Sequence, residues 1–326
     1  MNKITHYKRY ENNKKKKYQP KNYSLKYSSY QENHYTVIET TYQNAFVIIN
    51  NQIKKLSLSK SIKGVCNKII FPGDKVIIEK DQIIGLLPRE NILSRYKKDS
   101  TSYKEKLNNQ IIATNIDLAI IVVSAGYPAL HPKLIDRYMI ILKNQNIPFI
   151  ICINKIDLLT SKEKSIIEIY NKLNIPLIKT STYTKEGIDT LLSYIKGKQS
   201  ILIGHSGVGK SSLINTLLSS NYIKTGELSN KKGCHTTTKS KYYEITPNTS
   251  IIDTPGIRSL DLSSYQKEDI KNYFPEFIPY NNLCKYHNCL HYQEPFSSCK
   301  IKQLVKAKII SIERYESYLK IIKELS

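Results

Sequence analysis

Tryptophan is missing from the 326-residue chain, glycine occurs only 12 times and methionine twice. Lys, Asn, Ile and Tyr are abundant instead, the mark of an A/T-rich coding sequence. Acids are also scarce: 27 Asp and Glu stand against 50 Lys and Arg, for a formal charge of +23. Compositional drift supplies some of the lysines, but by itself it does not leave the acids so outnumbered. Such an excess surrounds a protein with positive potential, and the partner it fits is a polyanion such as RNA rather than a small acidic substrate. No apolar run reaches the roughly 18 residues of a membrane-spanning helix, so no membrane partner is expected. The basic N-terminus lacks the apolar stretch of a secretory signal. Cysteine is sparse. Three of the six lie between Cys284 and Cys299, with Cys66, Cys152 and Cys234 scattered. That clustering excludes a disulfide framework and fits a reduced, cytoplasmic protein with one metal site.

The length is too great for one ordinary domain. Residues 1–34 read as a disordered basic arm, since the first 30 hold nine Lys and Arg, one Glu and six Tyr without hydrophobic period. Lysines interleaved with tyrosines suit RNA, where rings stack on bases. From 35 to 105 come short apolar runs, at Tyr35–Ile38, Ala45–Ile49, Lys68–Phe71, Lys75–Ile78 and Ile83–Leu87, separated by turn signals such as Pro72-Gly73-Asp74. Five such runs predict a small RNA-binding β-barrel, an OB-fold or an SH3-like barrel. From 106 to 262 continuous apolar strands (Ile116–Ser124, Pro148–Ile153, 175–179, Ser200–Ile203, Thr249–Ile252) alternate with helical stretches at 134–144, 161–173 and 187–196. The alternation predicts an α/β domain with a parallel sheet covered on both faces.

Gly204-His205-Ser206-Gly207-Val208-Gly209-Lys210-Ser211-Ser212 fits G-x-x-x-x-G-K-[ST], follows a strand and opens a helix. Backbone N–H groups of such a loop curl around phosphates at a helix N-terminus. Lys210 would neutralise the β- and γ-phosphates and Ser211 would ligate Mg²⁺. Asn154-Lys155-Ile156-Asp157 ends the strand at 148–153. A carboxylate there accepts from guanine N1–H and the exocyclic amine, a donor pair that adenine lacks, so Asp157 would select GTP over ATP. Asn154 would brace the loop, Lys155 would lie along the base, and Ser181 in Thr180-Ser181-Thr182 would touch the base oxygen through an N–H. Asp253-Thr254-Pro255-Gly256 follows the strand at 249–252. Asp253 would hold Mg²⁺ through water and Gly256 would offer its N–H to the γ-phosphate. One of Thr236, Thr237 and Thr238 would complete the Mg²⁺ shell. The N-K-x-D motif precedes the phosphate loop, the reverse of the usual order, so the GTPase domain is circularly permuted.

Beyond it, from 263 to 326, Cys284, Cys289, His291 and Cys299 form a thiolate-rich set that suits one structural, tetrahedral Zn²⁺. His287 is a nearby rival ligand. The small segment has little core of its own, so metal would supply folding energy. Apolar residues at helical spacing from Leu304 to Ile322, including Ile309 and Ile312, predict a mostly helical end.

Together these motifs resemble the RsgA family, circularly permuted GTPases of bacterial small-subunit maturation. The resemblance includes Leu130-His131-Pro132-Lys133-Leu134-Ile135-Asp136-Arg137-Tyr138, the His235-Thr236-Thr237-Thr238 segment, Phe274-Pro275-Glu276 and Arg314-Tyr315-Glu316-Ser317-Tyr318. It implies an N-terminal OB-fold, a permuted GTPase domain and a zinc domain. It also implies a GTPase stimulated by the 30S subunit in late assembly, with 16S rRNA and GTP/GDP as partners of a monomer. Ile257 stands where other GTPases orient water with Gln, and the resemblance assigns that work to His235. Seven residues separate His291 from Cys299, two more than the family's usual five, so that loop must bulge if Cys299 is to ligate. Two other readings stay open: an RNA-binding factor using GTP only as an affinity switch, and an ATP-using P-loop kinase, which Asp157 disfavours.

Overall fold

The structure, a computed structural model, describes residues 34–49, 52–59, 69–98, 107–222, 241–253 and 262–325. The arm, apart from His34, lies outside these residues, as do Cys66 and the segments carrying His235 and Gly256. Tyr35–Ser326 forms one compact unit. Among the described residues no helix is long and apolar enough to cross a membrane.

Strands β1 (Tyr35–Thr40), β2 (Asn44–Ile49), β3 (Gln52–Leu58), β4 (Lys75–Glu79) and β5 (Gln82–Leu86) close into a barrel in the order β1-β2-β3-β5-β4. The β3–β5 pair is parallel and the other pairs antiparallel, a five-stranded arrangement of OB type. Alternate residues Val37, Ala45, Val47, Leu56, Val76 and Ile83 fill it. Of the strand expected at Lys68–Phe71, the described residues 69–71 form none. Ile70 does enter the barrel core, but Phe71 and Asp74 close a tight turn: Phe71 N donates to Asp74 Oδ2 (2.9 Å) and Asp74 N to Phe71 O (3.0 Å). The third strand is Gln52–Leu58, where Leu56 alone is buried and no clear alternation exists to be read.

Asp74, fully buried, ties the barrel to the next hairpin. Its carboxylate takes Arg89 Nε (2.7 Å), an Arg89 terminal nitrogen (2.8 Å) and Thr114 Oγ1 (2.7 Å). Beside it Gly73, at φ +94°, brings the turn so near Thr114 that a Cβ would sit 2.1 Å from its carbonyl oxygen. Thr114 ends β7 (Leu107–Thr114), which pairs antiparallel with β6 (Ile92–Lys98).

The second sheet runs β10-β9-β8-β11-β13-β12, from β8 (Leu118–Ser124), β9 (Phe149–Asn154), β10 (Leu177–Lys179), β11 (Gln199–Ile203), β12 (Lys241–Thr246) and β13 (Thr249–Asp253). All neighbours are parallel except the β12–β13 pair. Its strands bury both faces. Leu118, Ile120 and Val122 face α3 (Ile188–Ile195) and α4 (Lys210–Tyr222), while Ala119, Ile121 and Val123 face α1 (Pro132–Asn144) and α2 (Ser161–Asn171). Thr160 and Glu163 form a capping box that starts α2.

The C-terminal segment is built from α5 (Lys267–Ile270), 3-10 turns, α6 (Lys300–Lys306) and α7 (Ile312–Glu324). Its apolar residues, among them Phe274, Phe277, Ile301, Tyr318 and Ile321, share one core with α1 and α2. It therefore does not stand on a core of its own. The helical spacing is interrupted at Lys308, whose φ of 60° ends the run after α6. Ile309 and Ile312, expected on the packed face, are exposed, and Ile310 is buried in their place.

Candidate nucleotide site and metal centre

Parallel strands place their C-terminal ends on one edge, where loops rather than side chains of the sheet are free to take ligands. Register sets which loops meet there: Ser124 pairs with Asn154, Ile203 with Ile121, and Leu202 with Asp253. The Gly204–Ser212 loop leaves β11 at the centre of this edge and enters α4, whose first residue is Lys210. Ser211 and Ser212 are exposed in its first turn, as are His205, Ser206 and Gly207 in the loop, while Val208 is buried beneath. Lys210 Nζ lies along the loop, donating to Gly204 O (2.7 Å) and His205 O (2.9 Å).

The N-K-x-D loop is bound to this loop directly. Asn154, fully buried, donates from Nδ2 to Val208 O (3.0 Å). Gly209, at φ +95°, leaves room for that amide, because a Cβ there would lie 2.3 Å from Asn154 Nδ2. Lys155 adopts the left-handed conformation (φ 61°), and its Nζ reaches Gly207 O (2.8 Å) and Tyr127 O (2.6 Å). Ile156 opens the 3-10 turn that carries Asp157, whose carboxylate is exposed. Ser181, buried after β10, donates from Oγ to Asp157 Oδ1 at 2.5 Å. Thr180 Oγ1 joins the two loops again by donating to Asn154 Oδ1 (3.3 Å). Asp253, at the end of β13, lies one strand over from the glycine loop.

The structure thus gathers Asn154, Lys155, Ile156, Asp157, Ser181, the 204–212 loop and Asp253 at one edge. His235, Gly256 and the threonines at 236–238 fall outside the described residues. The Tyr127 carbonyl had no signal in the sequence, because any residue type supplies one.

The second candidate site lies in the C-terminal segment. The ligand atoms of Cys284, Cys289, His291 and Cys299 all lie within 4.8 Å of one another. His291 Nδ1 faces all three sulfurs, at 3.6, 3.2 and 3.5 Å for Cys284, Cys289 and Cys299. These are edge lengths of a tetrahedron whose centre is about 2.3 Å from sulfur and about 2.0 Å from nitrogen, so the cluster can hold one metal ion. The outer nitrogen, Nε2, lies 3.0 Å from Asn281 Oδ1, which fixes the ring for Nδ1 to ligate. His287 is exposed and outside the cluster. The long loop before Cys299 is absorbed by a 3-10 turn at Phe296–Ser298. In the metal-free cluster burial pushes the Cys289 and Cys299 thiols up, and burial, followed by the nearby Lys271, pushes His291 down to about 4. A bound cation reverses the thiol shift by holding thiolates.

A glycine loop locked to an N-K-x-D loop that precedes it in the chain makes this a circularly permuted P-loop GTPase. The chain belongs to the RsgA GTPase family, whose profile matches residues 86–263. It is 38% identical over 275 residues to a small ribosomal subunit biogenesis GTPase RsgA of Bacteroides fragilis, covering 81% of this chain and 86% of that one. To the protein of the same name in Borreliella burgdorferi it is 40% identical over 259 residues, with 78% and 80% covered. The crystal structure of YjeQ from Thermotoga maritima superposes with a TM-score of 0.68 at 28% identity, covering 90% of this chain and 98% of that one. YloQ, described as a circularly permuted GTPase, shares the fold with a TM-score of 0.65 at 22% identity, with 93% and 98% covered.

Proposed function

We propose that this protein hydrolyses GTP to GDP and phosphate, is stimulated by the small ribosomal subunit, and acts in late 30S maturation. It would work as a cytoplasmic monomer. In this reading a basic arm (1–34) and barrel (35–105) meet 16S rRNA, a GTPase domain spans 106–262 and a zinc domain 263–326. The relatives named for small-subunit biogenesis and the formal charge of +23 support the partner.

The observation that carries the nucleotide reading is the Ser181–Asp157 contact, which holds an exposed carboxylate in place at a ligand-accepting strand edge. Asp157 reads guanine N1–H and the amine, Lys155 lies along the base, and Asn154 with Ile156 keeps the loop in shape. The Gly204–Ser212 amides and Lys210 hold phosphates. Mg²⁺, held by Ser211 and through water by Asp253, would neutralise charge between β- and γ-oxygens. Gly256 contacts the γ-phosphate and His235 orients the attacking water. Cys284, Cys289, His291 and Cys299 hold one structural Zn²⁺, which the sulfur-rich, buried donor set fits.

Asp157→Asn tests the base-reading step. Asparagine offers a donor where guanine also donates, whereas xanthine carries a carbonyl there. GTP affinity should fall at least about tenfold while XTP gains. An unchanged GTP preference would refute the assignment.

A further inference from the structure

Glu163 starts α2 as one half of a capping box, and one oxygen is enough for that. Its Oε2 accepts from Thr160 N (3.0 Å) and from Thr160 Oγ1 (2.8 Å). The other oxygen, Oε1, crosses to the loop after β8 and accepts the N–H of Gly126 (2.9 Å), 37 positions away. An exposed acid would cap the helix as well, yet Glu163 is buried. Burial would raise its pKa, but the Thr160 and Gly126 donors outweigh it and hold the carboxyl below its usual range. Gly126 stands at φ +73°, where a Cβ would lie 3.0 Å from Leu158 Cβ in the turn that carries Asp157. A glycine in that conformation has no side chain to anchor it, so the tie comes from outside.

The residue after Gly126 is Tyr127, whose carbonyl oxygen accepts from Lys155 Nζ (2.6 Å) while the same ammonium reaches Gly207 O (2.8 Å). One carboxylate therefore fastens the loop that supplies this acceptor and, through Thr160, the turn that follows Asp157. We propose that Glu163 is a positioning residue for guanine binding. It sets the Tyr127 carbonyl where it keeps Lys155 alongside the base, an inference that rests on Lys155 and Asp157 forming the base site. Glu163 touches no nucleotide itself. An ammonium that loses its acceptor swings on a flexible four-carbon stem, so the effect of Glu163 runs through Lys155.

A double-mutant cycle separates this role from helix capping. Calorimetric titration of the full chain with GDP, well below each melting midpoint, compares wild type with Glu163→Ala, Glu163→Asp, Thr160→Ala, Lys155→Met and Lys155→Met combined with Glu163→Ala. Glu163→Ala should weaken GDP about tenfold, as expected for residues coupled through shared partners. Glu163→Asp keeps an acid in the first turn of α2 but is a methylene too short for Gly126, so it should weaken GDP as well. Thr160→Ala removes the cap and leaves the Gly126 bond; its melting midpoint should fall while GDP stays within about twofold of wild type. In the Lys155→Met background, Glu163→Ala should change GDP affinity by less than about twofold. Either Glu163 variant binding GDP as wild type does would overturn the proposal. So would a Glu163→Ala penalty that persists in full without the Lys155 ammonium, or a Thr160→Ala loss of GDP equal to that of Glu163→Ala. Wild-type protein that binds ADP as tightly as GDP would instead remove the base site itself, and the inference with it.

Discussion

The Arg314 guanidinium of α7 donates to the Asp136 carboxylate of α1, and both side chains are buried. Its remaining nitrogens reach Glu276, with Nε at 2.6 Å from Oε1. Tyr170 adds a donor to Asp136 (2.8 Å), and Phe274 lies under the guanidinium at 4.5 Å from its ring centroid. Three sequence segments that mark the family resemblance but carry no visible chemistry thus meet in one ion cluster. Burial alone would push the Arg314 pKa down, but Asp136 and then Glu276 carry it above its ordinary value, so the guanidinium stays charged. The cluster fastens the C-terminal segment to the GTPase domain.

Removing the cation leaves the buried Asp136 and the partly buried Glu276 carboxylates without a counter-charge. Arg314→Met should therefore destabilise the protein by about 3–5 kcal/mol. Adding Asp136→Asn and Glu276→Gln to it should recover part of the loss, because no uncompensated charge remains. Urea unfolding of the single and triple variants checks this; a single variant as stable as wild type would contradict it.

That cluster shows where sequence reading stops. The glycine loop and N-K-x-D are local patterns whose chemistry depends on neighbours within a few residues, and both were legible. The pairing of Asp136 with Arg314 joins positions 178 apart, and a charged residue in a helix reads as a solvated one until the packing is known. Strand β3 was missed because it fully buries only Leu56, with Leu58 partly packed against the core. The Cys284, Cys289, His291 and Cys299 cluster was legible through the rarity of cysteine, but Asn281 behind His291 was not. The expectation of a C-terminal module without a core changes too, since its core is continuous with that of α1 and α2.

Zinc should be bound one per chain by mass spectrometry of the native protein. Because the metal-free thiols are held protonated by burial, zinc must displace protons, and its apparent affinity should rise with pH through the neutral range. Cys299→Ala should lower the zinc content and the melting temperature together. Full zinc occupancy in that variant would exclude Cys299 as a ligand.

At the barrel junction, Asp74→Ala strands Arg89 and frees Thr114 Oγ1. A loss of about 3–5 kcal/mol is expected, concentrated in the barrel, where hydrogen exchange of β1 and β4 amides should accelerate. Exchange as slow as in wild type would contradict the junction's role.

His235→Ala should leave GTP affinity intact and cut subunit-stimulated turnover by about 10²–10⁴-fold, the range of a lost general base or water-orienting group. A loss of binding instead would move His235 from the chemistry to the nucleotide site.

The most direct test is single-turnover GTP hydrolysis by the wild-type protein alone and with purified 30S, 50S and 70S particles. Slow intrinsic hydrolysis, accelerated by 30S far more than by 50S, is the predicted result. Turnover that stays negligible with 30S present would contradict it and leave GTP as an affinity switch on an RNA-binding factor.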